Sequence, residues 1–240
     1  MEKVVIGFLA ARQDEPYQHA VWSGAVEEAE RIGASIVFFS GQRVRSPVGY
    51  EALDNIAYDI AARSHVAGLA IMTNVIGTYL KQEELLQFIT RFKGVPVVSV
   101  GVNIPGVVSV RINNQGGMIA VADHLVQVHK RRRFLFLAGP VEHVESIDRQ
   151  REFSQRLDEL LGSKYDLQIE YCNFQEEEAY ETTRKWFCKE KPFDAVVAAN
   201  DLMALGALRA LSEGGISVPE EVSVTGFDDT EDSRFSIPSL

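Results

Sequence analysis

Residues 193–229 read FDAVVAANDLMALGALRALSEGGISVPEEVSVTGFDD, a complete strand–helix–strand unit with a polar site at its first joint. Residues 195–199 are short and almost wholly apolar, as expected of a parallel strand covered on both faces. The run stops at the polar pair Asn200 and Asp201, and Asp201 is placed to cap the helix that follows. Leu202, Leu205, Leu208 and Leu211 recur at helical spacing, Gly214 and Gly215 supply the stop, and residues 222–225 begin another buried strand. In open α/β sheets, ligands bind outside the carboxyl ends of the strands. Asp201 and the Asp228–Asp229 loop therefore occupy the edge where binding is expected, and Asp201 reads either as a plain helix cap or as a ligand contact.

The same alternation runs through the rest of the chain. Residues 4–9 form an apolar strand, and residues 16–32 a helix with Val21, Ala25 and Ala29 on one face, closed by Gly33. A strand at 35–39, a Gly-, Ser- and Pro-containing loop at 41–49, and a helix around Leu53, Ile56 and Ile60 follow. Residues 68–72, a helix near 83–92 and residues 95–100 complete the first series. After an extended segment at 107–112, a second series has helices at 117–128, 147–161 and 176–189 and strands at 134–137 and 167–171. This predicts an α/β chain of two doubly wound parallel-sheet lobes, although periodicity alone is compatible with one continuous sheet.

Composition narrows the function classes. The 240 residues are 46% apolar, enough for two lobes with separate cores. No apolar stretch reaches the roughly 20 residues that span a bilayer, and MEKVVIGFLAARQDE lacks the basic-then-apolar layout of a signal peptide. A cytoplasmic location is expected, with no membrane contact. The net charge of −10 argues against direct nucleic-acid contact by this segment. The one basic cluster, residues 130–133, reads as a solvated turn that complements a helix C-terminus. Cys172 and Cys188 read as reduced packing thiols, with no second Cys or His at metal-ligand spacing.

The run AANDLMALGALRALSEGGISVPEEVSVTGFDD resembles the signature of the lactose-repressor (LacI/GalR) effector domain, a relative of periplasmic sugar-binding proteins. The likeness extends over almost the whole chain: VIGFLAARQDEPYQ, HVAGLAIM, GVPVVSVG, INNQGGMIAVADHL, LFLAGPVEHVESIDRQREF and IPSL occur in the family's order and spacing. The resemblance implies a periplasmic binding protein-like fold of type I with a ligand cleft between the lobes. It assigns residues 1–113 plus 230–240 to an N-terminal lobe and 114–229 to a C-terminal lobe. It also implies that the chain lacks the helix-turn-helix of family repressors and stops short of the third crossover. The wording of HLVQVHKRRRFLFLAGP and VAGLAIMTNVIGTYL is similar to sensor domains that precede signalling output modules, so an output domain outside this chain is expected.

The resemblance also nominates ligand contacts. Asp14 and Tyr17 belong to the loop after the first strand, and Asp14 reads equally as the cap of the next helix. Thr73 follows the third strand, where a hydroxyl can instead satisfy the strand end. Asn113 stands at the first crossover where relatives carry Asp, and its uncharged amide both donates and accepts. Arg149 matches the family's central arginine, whose planar fork suits hydroxyl pairs or a carboxylate. Glu152 stands where Gly is usual after it, and Phe153 holds the aromatic place. His143 matches a variable contact position or is a surface-loop histidine. Phe174 occupies a place that stacks on ligand in nucleobase-binding relatives, and an aromatic face suits a purine or a sugar alike.

No phosphate-binding glycine loop, nucleophile elbow or zinc-protease motif is present, so no enzymatic activity, cofactor or metal is expected. Asp228, Asp229, Glu231 and Asp232 read as solvated carboxylates at a lobe crossing rather than a Mg²⁺ site. The reading reached from the sequence is a homodimeric sensor of a small polar metabolite, sugar or nucleoside-like, acting through lobe closure on transcription or on an attached output. The alternatives are a transporter's solute-binding protein and a non-binding interaction module.

Overall fold

Every strand pairing in the computed structural model, which describes residues 4–187 and 192–240, is parallel. The strands form two sheets, one in each of two units, Met1–Ile112 and Asn113–Leu240. The expectation of two doubly wound lobes over one continuous sheet therefore holds.

In the first unit the chain runs β1 (Val5–Ala10), α1 (Pro16–Arg31), β2 (Ser35–Ser40), α2 (Glu51–Asp54), α3 (Ile56–Ala61), β3 (Gly68–Met72), α4 (Thr73–Ile76), α5 (Gln82–Ile89), β4 (Val97–Val100) and β5 (Val108–Val110). The sheet order is β2-β1-β3-β4-β5. Because side chains alternate along a strand, Leu9 enters a core with Ile71, Ile76, Leu85 and Phe88, while Phe8 enters a second layer with Met72, Tyr17, Val21, Trp22 and Ala25. The face of α1 read from Val21, Ala25 and Ala29 is thus the packed one. The expected helix around Leu53, Ile56 and Ile60 differs: it breaks at Asn55, and these three side chains are exposed. Tyr58 and Ala61 are buried instead, and the Tyr58 hydroxyl bonds the carbonyls of Ala10 and Gln42.

The second unit runs α6 (Asn114–Asp123), β6 (Arg133–Ala138), α7 (Val144–Leu161), β7 (Asp166–Tyr171), α8 (Glu176–Phe187), β8 (Ala195–Ala198), α9 (Asp201–Glu213), β9 (Ser223–Thr225) and α10 (Glu231–Phe235). Its sheet order is β7-β6-β8-β9. Residues 134–138 and 195–199 are fully buried, the condition their unbroken apolar runs anticipate. Phe153 of α7 packs against Phe134 and Phe136, with ring centroids 5.6 Å away in each case. The aromatic after Arg149 is therefore a core residue. On α9 the packed face is Met203, Ala204, Ala207, Leu208 and Leu211; Leu202 and Leu205 are only partly buried.

Two details of the second unit depart from the sequence reading. The helix expected over 117–128 starts at Asn114, and residues 124–128 widen into a π-type turn in which the His129 amide bonds the His124 carbonyl at 3.3 Å. The cap of α9 is Asn200, whose Oδ1 accepts from the Met203 amide at 3.0 Å, and Asp201 is the first helical residue. Residues 230–240 make their contacts with the second unit: Thr230 binds Asp201, and Leu240 packs against that unit's core. The helix expected over 176–189 is described to Phe187, and Cys188 lies outside the described residues.

Candidate functional site

In the second unit, loops leaving the carboxyl ends of β6, β7, β8 and β9 converge with the start of α6, and Arg149 of α7 ties several of them together. Its guanidinium is 3% exposed. Nε donates to Asn114 Oδ1 at 2.9 Å, and Nη1 donates to the Ala199 carbonyl at 2.5 Å and lies 3.5 Å from Asp228 Oδ1. The guanidinium carbon stands 3.9 Å from the centroid of the Phe227 ring, close enough for a cation–π contact. One carboxylate at 3.5 Å is a loose partner for a desolvated cation, which makes directed hydrogen bonds the more important compensation. Among the described residues no acceptor meets Nη2, so one arm of the fork is left for a ligand oxygen.

The strand-end loops supply the walls. Phe227 lies over Gly117 near the α6 N-terminus, where a Cβ would run into the ring. Asp228 and Asp229 follow with φ of 122° and 58°, uncommon values that cost conformational energy and cluster at functional sites. Asp229 points to Arg234, with oxygens at 2.8 and 2.5 Å, and this hydrogen bonding holds its carboxyl below the usual range. The acidic group named from the sequence is thus divided, Asp228 toward Arg149 and Asp229 toward Arg234.

Beside this cluster, Phe174 adopts φ 59° and lays its ring across Gly139, a position that tolerates no Cβ. His143 meets the Phe174 ring edge-on, with centroids 5.0 Å apart. His143 is 7% exposed, so it is a packed wall residue and not the surface-loop histidine that its neighbours suggested. Burial also pushes the Cys172 thiol up to about 11, and the side chain rests against Thr182 at 3.6 Å.

Asn113, which is exposed, caps α6: its Oδ1 accepts from the Gly116 amide at 3.0 Å. Its neighbour Asn114 is the residue that meets Arg149. Asp201, 3% exposed, accepts from the Thr230 amide at 2.8 Å and the Thr230 hydroxyl at 3.1 Å through Oδ2. The basic residues after α6 are spent within the unit: Arg131 binds the carbonyls of residues 219–221, and Arg133 faces Asp194.

At the corresponding edge of the first unit, Tyr17 accepts from Asn74 Nδ2 at 2.8 Å while its ring packs on the core layer. Asp14 is exposed and pairs with Arg12, which holds its carboxyl below the ordinary value. The cap of α1 is Glu15, not Asp14, accepting from the amides of Tyr17 and Gln18. Thr73 is fully buried, and its hydroxyl bonds Ser99 Oγ, the Val100 carbonyl and the Val102 amide at 2.7 to 3.2 Å. Its capacity of one donor and two acceptors is filled by strand-end groups. Asn74 was not singled out from the sequence, nor were Asn114 and Phe227. The only signal for the last two was adjacency, Asn114 to Asn113 and Phe227 to Asp228.

Residues 122–240 match the periplasmic binding protein-like domain family. The chain is 27% identical over 238 residues to the HTH-type transcriptional repressor PurR of Haemophilus influenzae, covering 98% of this chain and 67% of that protein. It is 29% identical to the HTH-type transcriptional regulator CelR of Thermobifida fusca (94% and 64%) and 27% identical to the ribose operon repressor of Bacillus subtilis (100% and 68%). The chain therefore spans about two thirds of the length of these relatives. In fold it is similar to a dimeric Lac repressor, with a TM-score of 0.83 at 24% identity over 99% of this chain and 83% of that one. A LacI transcriptional regulator from a Rhodococcus species gives 0.80 at 24% identity over 96% and 80%. Two parallel-sheet α/β units, loops gathered at strand ends and these matches define a periplasmic binding protein-like domain. Over nearly its whole length the chain is similar to transcriptional repressors of the LacI type.

Proposed function

We propose that this chain is the effector-sensing part of a LacI-type regulator, taking a small polar metabolite and passing the binding event to transcription or to an attached output. Arg149 carries the reading. It is a buried guanidinium held by Asn114 and the Ala199 carbonyl, at the strand edge where ligands of such sheets bind, with Nη2 unclaimed. A planar donor fork beside aromatic surface fits a ligand with paired oxygens and an apolar face, which describes a sugar or a nucleoside. Phe174 and His143 supply that aromatic surface. Asn113, Asp14, Thr73 and Asp201 have structural partners, and we assign them to holding the loops. Binding regulates to the extent that the ligand prefers one conformation of the protein over another. A homodimer is part of the proposal, since a similar solved structure is described as dimeric. The relatives are transcriptional repressors, and no enzymatic step is proposed.

The test is a thermal-shift screen against sugars, sugar phosphates, nucleobases and nucleosides, repeated with Arg149→Lys and Phe174→Ala. A ligand at 100 times its dissociation constant should stabilise by about 2.7 kcal/mol, a rise of roughly 5–10 °C for a chain of this size. A hit weakened in both variants supports the site. A hit indifferent to both removes the site, and silence across all four classes removes the sensor reading.

A further inference from the structure

Just past the end of α6 and before β6, two histidines converge. His124 and His129 are both exposed, and their Nε2 atoms lie 3.0 Å apart. Five residues apart on a regular helix they would point well away from each other, since each residue advances about 100°. The π-type turn over residues 124–128 alters this, and the chain then leaves through Lys130 at φ 59°. Buried Leu125 and Val126 anchor the turn on the core, so the rings are held by packed backbone. The imidazoles meet nearly edge-to-face, at 77° with centroids 4.6 Å apart. That separation is too short for two rings meeting in line across a 3.0 Å contact. The nitrogens are canted from the line joining them, as convergence on a third atom requires.

We propose that His124 and His129 form a bidentate surface site for a divalent transition-metal ion of the copper–nickel–zinc group. Imidazole nitrogen suits these metals, and two nitrogens each about 2.05 Å from an ion and 3.0 Å from each other subtend an angle of roughly 94° there. That angle belongs to tetragonal or octahedral coordination and is tight for a tetrahedron, so Cu²⁺ and Ni²⁺ are favoured over Zn²⁺. No group of three or more His, Cys, Asp or Glu surrounds a common point among the described residues, so water fills the other positions. Asp123 is engaged by Arg156, and Lys130 donates to the Gln127 carbonyl, which directs its ammonium to the helix end.

The untagged protein is titrated with CuSO₄ by calorimetry, with electron paramagnetic resonance on the copper-loaded sample, alongside His124→Asn, His129→Asn and, as a control, His65→Asn. The expected result is one Cu²⁺ per chain with two imidazole nitrogens in its spectrum. Affinity should fall at least tenfold in either variant of the pair and stay unchanged in the control. NiCl₂ and ZnCl₂ should follow the same pattern more weakly. Copper bound through one imidazole, or affinity unmoved by both substitutions, overturns the proposal. So does the absence of binding with both histidines present, which would leave only the ring-to-ring hydrogen bond.

Discussion

Replacing Asp201 by Ala should destabilise the second unit by about 3 kcal/mol, because two hydrogen bonds to a charged acceptor, worth about 1.5–3 kcal/mol each, are lost with partial relaxation. Both come from Thr230, through its amide at 2.8 Å and its hydroxyl at 3.1 Å, and the carboxylate is almost fully buried. The Thr230 amide would then lose its acceptor, and an unsatisfied buried backbone N–H is felt more than a freed hydroxyl. Asp201→Asn keeps an accepting oxygen and sacrifices charge assistance and the favourable interaction with the α9 N-terminus, for a cost of about 1–2 kcal/mol. Thr230→Val removes a hydroxyl that both donates to Asp201 and accepts from the Ser233 amide as the α10 cap, at about 1–2 kcal/mol, and in the double variant with Asp201→Ala only the share owed to Asp201 should disappear. The assay is urea unfolding followed by tryptophan fluorescence. Trp22 lies in the first unit and Trp186 in the second, so a Trp22→Phe background reports the second unit alone. A transition in Asp201→Ala within about 0.5 kcal/mol of the parent, with full ligand response lost, would refute the structural role and make Asp201 a ligand contact.

Acid should weaken the first unit through Glu51. Burial alone would raise its carboxyl, but hydrogen bonds from Arg43 and Ser46 and the charge of Arg43 outweigh this and hold it below 4.5. A depressed carboxyl contributes stability that is complete above its unfolded value and is lost as pH falls through the folded one. Melting followed by Trp22 between about pH 7 and about pH 3 should show that loss, and Glu51→Gln should flatten it. Cys172 should be inert to thiol reagents in the folded protein. Its thiol, raised by burial from 9.0 to about 11, has about a hundredfold less thiolate at a given pH, and Cys188→Ser protein treated with a disulfide reagent at mild alkaline pH should react only after denaturation.

The alternation of strands and helices was readable because both sheets are parallel and buried, so each central strand is a continuous apolar run and each connection a helix. The opening strand–helix–strand unit, β8 to β9, follows its sequence pattern closely. Helix caps slipped by one residue in two places for one reason. Asp14 and Glu15, like Asn200 and Asp201, are adjacent side chains each able to accept from a helix terminus, and only the extended backbone of Glu15 and Asn200 selects the cap. The exposed Leu53, Ile56 and Ile60 show the limit of periodicity, which cannot tell a packed face from a presented one. At the candidate site, Arg149 was found by resemblance, while its partners Asn114, Ala199 and Phe227 come from three different segments and leave no local pattern. His143 was misplaced to the surface because the ring that covers it, Phe174, reaches it through a backbone conformation that composition does not announce.

The two aspartates after Phe227 have a consequence for how binding is felt. A loop kept at φ 122° and 58° is held against its own preference, and the ties that hold it are Arg149 on one side and Arg234 on the other. In the proposed function an oxygen meets the unclaimed Nη2 arm, one atom away from the Nη1 that faces Asp228. A small turn of the guanidinium toward that oxygen then bears on the first tie while the second stays, so the loop answers the ligand through a shared donor group without touching it.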